Sequence, residues 1–238
     1  MFAALRMLLV YLVLGVPAAL VGIPWSALRK NFDTMYRWGM GIMALGVKAA
    51  GVRVRLEGLE NVQPGVHYIF LSNHVSNLDP PVLLPSIPGM TSVFLKKELM
   101  KIPLLGTAMQ MGKFVPVSRA NSREDAQRSV EAATDALNSG LHITVFPEGT
   151  RSTNGGLLPF KKGAFFLAEA TGAPVIPVVI TGTERMMPRG SQRITPGEAH
   201  IQFLSPIRPQ DATSREDLMS RVRAAMEQEL ERRRATEN

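Results

Sequence analysis

The 238-residue chain carries 27 Lys and Arg against 20 Asp and Glu, a net charge of +7, and it has no cysteine. The missing thiols exclude disulfides, thiolate metal sites and a cysteine nucleophile. The basic balance calls for an anionic partner; with only three Tyr, two Trp and no basic-aromatic interleaving, a membrane surface or a phosphorylated metabolite is favoured over nucleic acid. The length suits one α/β domain with a small appendage.

Residues 7–28 contain no charge. Gly15, Pro17, Gly22 and Pro24 interrupt them, which leaves residues 7–16 as the clean part, about 15 Å as a helix and enough for one leaflet. Arg6 and the small residues Pro17-Ala18-Ala19 resemble a signal peptide. Apolar character nevertheless continues through Ile23, Trp25 and Leu28, with no polar mature start. Trp25, Arg29 and Lys30 read as an interfacial edge, and a second apolar stretch, residues 38–47, is closed by Lys48. Residues 1–50 are therefore expected to form two membrane-embedded helices, either a kinked span with an interfacial partner or a hairpin dipping into one leaflet. Arg29, Lys30, Arg37 and Lys48 follow the first run while only Arg6 precedes it, which puts the bulk of the chain on the cytoplasmic side of the cell inner membrane.

From Gly51 the pattern changes to short β-rich runs separated by helical ones. Strands are predicted over residues 52–56, 67–71, 92–95, 113–117, 142–146, 174–180 and 200–204. Helices are predicted over residues 81–85, 122–138 and 163–170, the second opened by the capping box of Ser122 to Asp125. A last amphipathic helix, residues 215–231, has Leu218, Val222, Met226 and Leu230 at four-residue spacing and is expected to dock on the sheet, with the residues after it fraying. The expectation is an α/β domain over residues 51–238 with a mixed, largely parallel sheet flanked by helices, behind an N-terminal two-helix membrane-embedded motif.

Several chemistries have no motif: no Gly-x-Ser-x-Gly elbow, no Ser-x-x-Lys, no phosphate loop ending in Gly-Lys-Ser/Thr and no His-Glu-x-x-His. The glycine pattern at residues 39–44 follows no strand and is set aside as a dinucleotide site. His67, His142 and His200 stand alone in strand-like contexts and read as structural. Three polar clusters remain, each at the end of a predicted strand, where open α/β sheets place ligands. The first, Asn73-His74 to Asp79, offers a general base and an orienting carboxylate. On a helix the two would lie about 140° apart, so a curled strand-to-helix loop suits them better, with Asp79 also placed to cap the helix that Pro80 begins. The second, Gly112 to Arg119, ends a strand in a basic residue. The third, Phe146-Pro147-Glu148-Gly149-Thr150-Arg151-Ser152, can point backbone N–H groups, Thr150 and Arg151 at an anion.

Together these clusters resemble the glycerolipid acyltransferase family. Asn73-His74 to Asp79 matches its His-x4-Asp block, and Phe146 to Ser152 matches its third block at every position. Gly112 to Arg119 resembles the second, and Val175-Ile176-Pro177-Val178-Val179 the fourth. Lys96 to Leu99 and Phe160 to Gly163 are similar to the family as well, so the likeness covers about residues 55–185. The size and two-helix head look most like the bacterial lysophosphatidic acid acyltransferase branch. The resemblance implies direct transfer of an acyl group from a thioester of acyl carrier protein or coenzyme A to a glycerol hydroxyl. His74 would act as base, held by Asp79. Arg119 and Arg151 would grip the acceptor phosphate, with Lys161 or Lys162 as further candidates and Glu148 and Gly149 lining the acceptor site. It implies a membrane-lipid acceptor on an anionic surface, and no metal or redox cofactor. An acceptor of another kind, or a non-catalytic anionic-lipid binder, are the alternatives.

Overall fold

The computed structural model describes residues 2–117, 123–153 and 155–237. Seven strands form one sheet: β1 (Val52–Glu57), β2 (Ile69–Ser72), β3 (Thr91–Lys96), β4 (Val115–Val117), β5 (His142–Val145), β6 (Val175–Thr181) and β7 (Gly197–Phe203). They lie in the order β1-β7-β6-β2-β5-β3-β4, and every pairing is parallel except β6 with β7. The mixed, largely parallel sheet expected from the alternation of patterns is borne out.

Strand β2 shows why both faces must be covered. Phe70 points into one core cluster and Ile69 and Leu71 into the other, and all three are fully buried. On the Phe70 side lie α1 (Phe2–Val10), α3 (Asp33–Ala49) and α4 (Asp79–Leu83), which contribute Ala3, Val47 and Leu83. On the other side lie α6 (Arg123–Asn138), α7 (Gly163–Thr171) and α9 (Arg215–Glu237), which contribute Leu137, Phe165 and Val222. Helix α9 docks through Leu218, Val222, Met226 and Leu230, as their spacing predicts. It does not fray after Glu231. Arg233 bonds Glu229 on its own helix, Glu57 on β1 and Gln202 on β7, which carries the helix on to Glu237.

The N-terminal run departs from expectation. Its glycines and prolines do not divide it, and Phe2–Arg29 is a single apolar helical run of 28 residues, about 42 Å long. A π-helical turn, Tyr11–Gly15, separates α1 from α2 (Val16–Arg29) and places Pro17 in the first turn of α2, where a missing N–H costs little; Pro24 alone lies inside the helix. Lys30, in the left-handed region at φ 50°, ends α2, and the chain returns as α3. Gly22 packs on Met35 and Gly46 on the Tyr11 ring, so the helices run antiparallel, and a Cβ at Gly46 would overlap that ring. The outward face of α1 and α2 leaves Leu5, Leu9, Leu12, Leu20, Trp25 and Leu28 exposed. The head is not a detached appendage: Val47 and Ala50 sit in the main core, and the Tyr36 hydroxyl accepts the Thr91 N–H at 3.0 Å.

His142 is structural, as read. Its Nδ1 accepts the Tyr68 N–H at 3.0 Å, and His67, Tyr68 and Phe70 pack round the ring. Burial chiefly, and then the neighbouring His67 charge, push its pKa down to about 4. The folded value lies below the unfolded one of about 6.5. Its contribution is therefore complete above pH 6.5 and is lost as the pH falls towards 4, on the order of 3 kcal/mol in total. Melting temperature across that window should fall more steeply for the native chain than for His142→Gln; parallel profiles would refute the assignment.

Candidate active site

The parallel pairing of β2 with β5 and β6 brings the carboxyl ends of all three strands to one edge, with β2 in the middle. The loop leaving β2 carries the first motif. Asn73, fully buried, clamps the end of the strand onto β6: its amide donates to the Ile180 carbonyl at 2.9 Å and its Oδ1 accepts the Ile180 N–H at 2.7 Å. It is an anchor for the loop, away from any exposed surface.

Beyond Asn73 the backbone curls, and His74 Nδ1 comes 2.8 Å from Asp79 Oδ2. The same oxygen accepts the N–H groups of Val75 at 2.7 Å and Ser76 at 2.8 Å, while Oδ1 accepts the Thr183 hydroxyl at 2.6 Å. Asp79 is fully buried, and its carboxylate is held from four directions. The expected capping role is not what the structure shows. Asp79 is the first residue of α4, Leu78 stands at the N-cap, and the carboxylate turns back to the loop before it. Its acceptors are consumed by the curl that brings His74 round. The imidazole remains partly exposed, and the Phe146 ring lies 4.4 Å away, centre to centre.

The loop leaving β5 is bolted to the first. Glu148 is 4% exposed. Its Oε1 accepts the His74 N–H at 2.8 Å and its Oε2 the Leu158 N–H at 2.8 Å, so both oxygens serve backbone. Burial pushes its carboxyl up, opposed by these two bonds. The Ser152 N–H closes the junction by donating to the His74 carbonyl at 2.7 Å. Gly149 turns at φ 67°, and the Lys161 side chain crosses it so closely that a Cβ there would meet it. Thr150 is exposed and Arg151 half-buried, its carbonyl accepting from Arg189 at 2.8 Å. Lys161 thus lies beside the loop, whereas Lys162 turns to Glu216 at the start of α9, 2.9 Å away. Arg119 and Ser122 lie outside the described residues.

Thr183 escaped the sequence reading. Its only local signal is a Gly-Thr pair closing β6, with Gly182 at φ 89°, and nothing in the spacing ties it to a residue 104 positions earlier. Thr183→Val should leave a buried carboxylate oxygen unsatisfied, lowering stability by about 1–3 kcal/mol. It should also reduce turnover more than substrate affinity, and Thr183→Ser should restore both. A variant with native turnover would remove Thr183 from the positioning group.

A histidine–aspartate pair at the carboxyl edge of a mostly parallel sheet, with an apolar helical head packed on the same domain, is the architecture of an α/β enzyme. A family model described as acyltransferase matches residues 53–181. The 1-acyl-sn-glycerol-3-phosphate acyltransferase alpha of Homo sapiens is 31% identical over 213 residues, covering 87% of this chain and 74% of that protein. The 1-acyl-sn-glycerol-3-phosphate acyltransferase of Limnanthes douglasii is 32% identical over 191 residues, covering 80% of this chain and 66% of that protein. Among solved structures, the 1-acyl-sn-glycerophosphate (LPA) acyltransferase PlsC of Thermotoga maritima matches with a TM-score of 0.79 at 29% identity, over 97% of this chain and 95% of that one. The chain belongs to the acyltransferase family and is an acyltransferase.

Proposed function

We propose that the chain transfers a fatty acyl group from an acyl thioester to the sn-2 hydroxyl of lysophosphatidic acid, giving phosphatidic acid for phospholipid synthesis. The observation that carries this reading is the 2.8 Å contact between His74 Nδ1 and an Asp79 oxygen already fixed by two backbone N–H groups. With Nδ1–H donating to Asp79, Nε2 is the basic nitrogen. It takes the proton of the acceptor hydroxyl as that oxygen attacks the thioester carbonyl. The C–S bond breaks when the tetrahedral intermediate collapses, and the thiolate leaves with the proton returned by the imidazolium. The thioester is already activated, so a positioned base suffices and no acyl-enzyme, metal or redox cofactor takes part. Arg151 and Lys161 beside the β5 loop, and Arg119 just after β4 in sequence, supply charge for the acceptor phosphate.

The apolar hairpin supplies access to the acceptor. Helix α3 is bound to the core by Tyr36 and Val47, and α1 and α2 lie along it, so their exposed leucines form one flank of the catalytic domain. A helix held in this way enters the headgroup layer in the plane of the membrane, whereas spanning would drag the polar domain with it. The charges following α2 favour the cytoplasmic face of the inner membrane, and the acyl donor is a thioester of acyl carrier protein or coenzyme A. Purified full-length chain, a labelled acyl thioester and a panel of acceptors test the reading. Lysophosphatidic acid should be acylated in preference to lysophospholipids with substituted phosphates, glycerol-3-phosphate and lyso-aminolipids. Preference for an acceptor without phosphate, or lipid binding with no transfer, would overturn it.

A further inference from the structure

The hairpin is not the only apolar surface left open. Outside residues 2–49, six large apolar side chains of the described residues are exposed. Four of them, Leu99, Ile102, Leu105 and Val117, lie at or just beyond the carboxyl ends of β3 and β4. Strand β3 runs into a 3₁₀ turn, Lys97–Lys101, and then into α5 (Leu105–Met111). Val117 closes β4 in register with Lys96, the last residue of β3, and β4 packs beside the turn. The same segment carries Lys96, Lys97 and Lys101 against Glu98 alone, and all four are exposed. Single exposed leucines are ordinary on a protein surface, whereas four apolar side chains among three lysines make an amphipathic patch.

Two contacts join this patch to the hairpin. Helix α5 packs against α2. The Phe32 ring, in the turn between α2 and α3, lies so close to Gly112 at the end of α5 that a Cβ there would meet it. This end of the hairpin exposes Trp25 and Leu28, with the Arg29 guanidinium 4.6 Å over the Trp25 ring and Lys30 beside it. Aromatic and cationic side chains together mark a membrane boundary. The strand order relates the patch to the chemistry. Strands β2, β5, β3 and β4 are consecutive and mutually parallel, so the segment after β3 leaves the sheet at the same edge as the loop carrying His74.

We propose that residues 97–105, with Val117, form a second membrane contact, seated on an anionic leaflet beside the hairpin. The assignment rests on the membrane reading of the hairpin above. The apolar side chains enter the headgroup layer, and Lys97 and Lys101 meet lipid phosphates. A hairpin lying in the leaflet leaves the domain free to turn about the hairpin axis. A second contact off that axis fixes the rotation and turns the carboxyl edge, with His74, towards the lipid. An acidic protein would use the lysines but has no need of an apolar patch continuous with the hairpin; an anionic leaflet uses both.

The test uses full-length chain carrying Ile102→Ser with Leu105→Ser, and separately Lys101→Glu. Partitioning onto vesicles of phosphatidylcholine mixed with phosphatidylglycerol should weaken about 10-fold for each, with native melting temperature. The Lys101→Glu loss should vanish on pure phosphatidylcholine and shrink in high salt, while the serine pair should lose binding on both vesicles. Turnover of long-chain lysophosphatidic acid in vesicles should fall in step with partitioning. Turnover of a short-chain, water-soluble lysophosphatidic acid should not change. Native partitioning in both variants overturns the proposal. So does lost turnover on the soluble acceptor with native melting, which moves the segment into the active site. A raised KM for acyl carrier protein thioester with native partitioning also overturns it and gives the lysines to an acidic protein. Partitioning is read without substrates, so weakened binding in a chain that acylates nothing would sink the transferase reading and spare this contact. Native chain that acylates the soluble acceptor yet binds neither vesicle would do the reverse.

Discussion

Replacing His74 with Ala is expected to lower the turnover number for acyl transfer by about 10²–10⁴-fold, with little change in KM for either substrate. The imidazole is partly exposed, and no backbone depends on its ring, so the fold should survive the change. The Asp79→Asn variant should be more damaging, on the order of 10⁴-fold. Its amide would have to face three N–H donors, at His74, Val75 and Ser76, that now converge on one carboxylate oxygen. Whichever way it turned, either the imidazole would lose its acceptor or the loop would open. The measurement is turnover at saturating thioester and acceptor with melting temperature alongside. Native turnover in His74→Ala would remove the base from the mechanism, and a loss accompanied by unfolding would reassign the residue to structure.

Glu148→Gln carries the second large effect. The carboxylate serves two backbone donors, one on the catalytic loop and one at Leu158. Glutamine has a single acceptor oxygen, so one buried N–H would meet an amide N–H instead, at about 1–3 kcal/mol. The same change loosens the link that sets where His74 stands. Turnover should therefore fall together with thermal stability, while KM for the acceptor stays near its native value. The resemblance places this glutamate on the acceptor. A many-fold rise in acceptor KM with native stability would favour that role over the positioning of His74.

These two residues also show how far a linear reading reaches. The His-x4-Asp spacing marked a loop able to fold back on itself, and curling needs only the torsions of six successive residues. The strand-ending motifs were legible for the same reason: period-two apolar runs and the Pro and Gly that stop them are local physics. Where local signals conflicted, the reading failed. Pro17 and Pro24 argued for breaks in the N-terminal helix. An offset turn at Tyr11–Gly15 and packing against α3 outweighed them. Asp79 was a plausible cap by position, but the nearer donors at Val75 and Ser76 claimed its carboxylate.

Composition, apolar periodicity and motif order were enough to say that this chain is an α/β protein with an apolar head and a base-plus-carboxylate loop at a strand end. Each of those depends on residues within a turn or two of one another. The partners of that loop were decided elsewhere. Glu148 lies 74 positions from His74 and Thr183 lies 104 from Asp79. They meet only because β2 is inserted between β5 and β6, a strand order that no local propensity encodes. The site is therefore a product of sheet topology, which aligns three strand ends at one edge and lets buried carboxylates and hydroxyls tie their loops together.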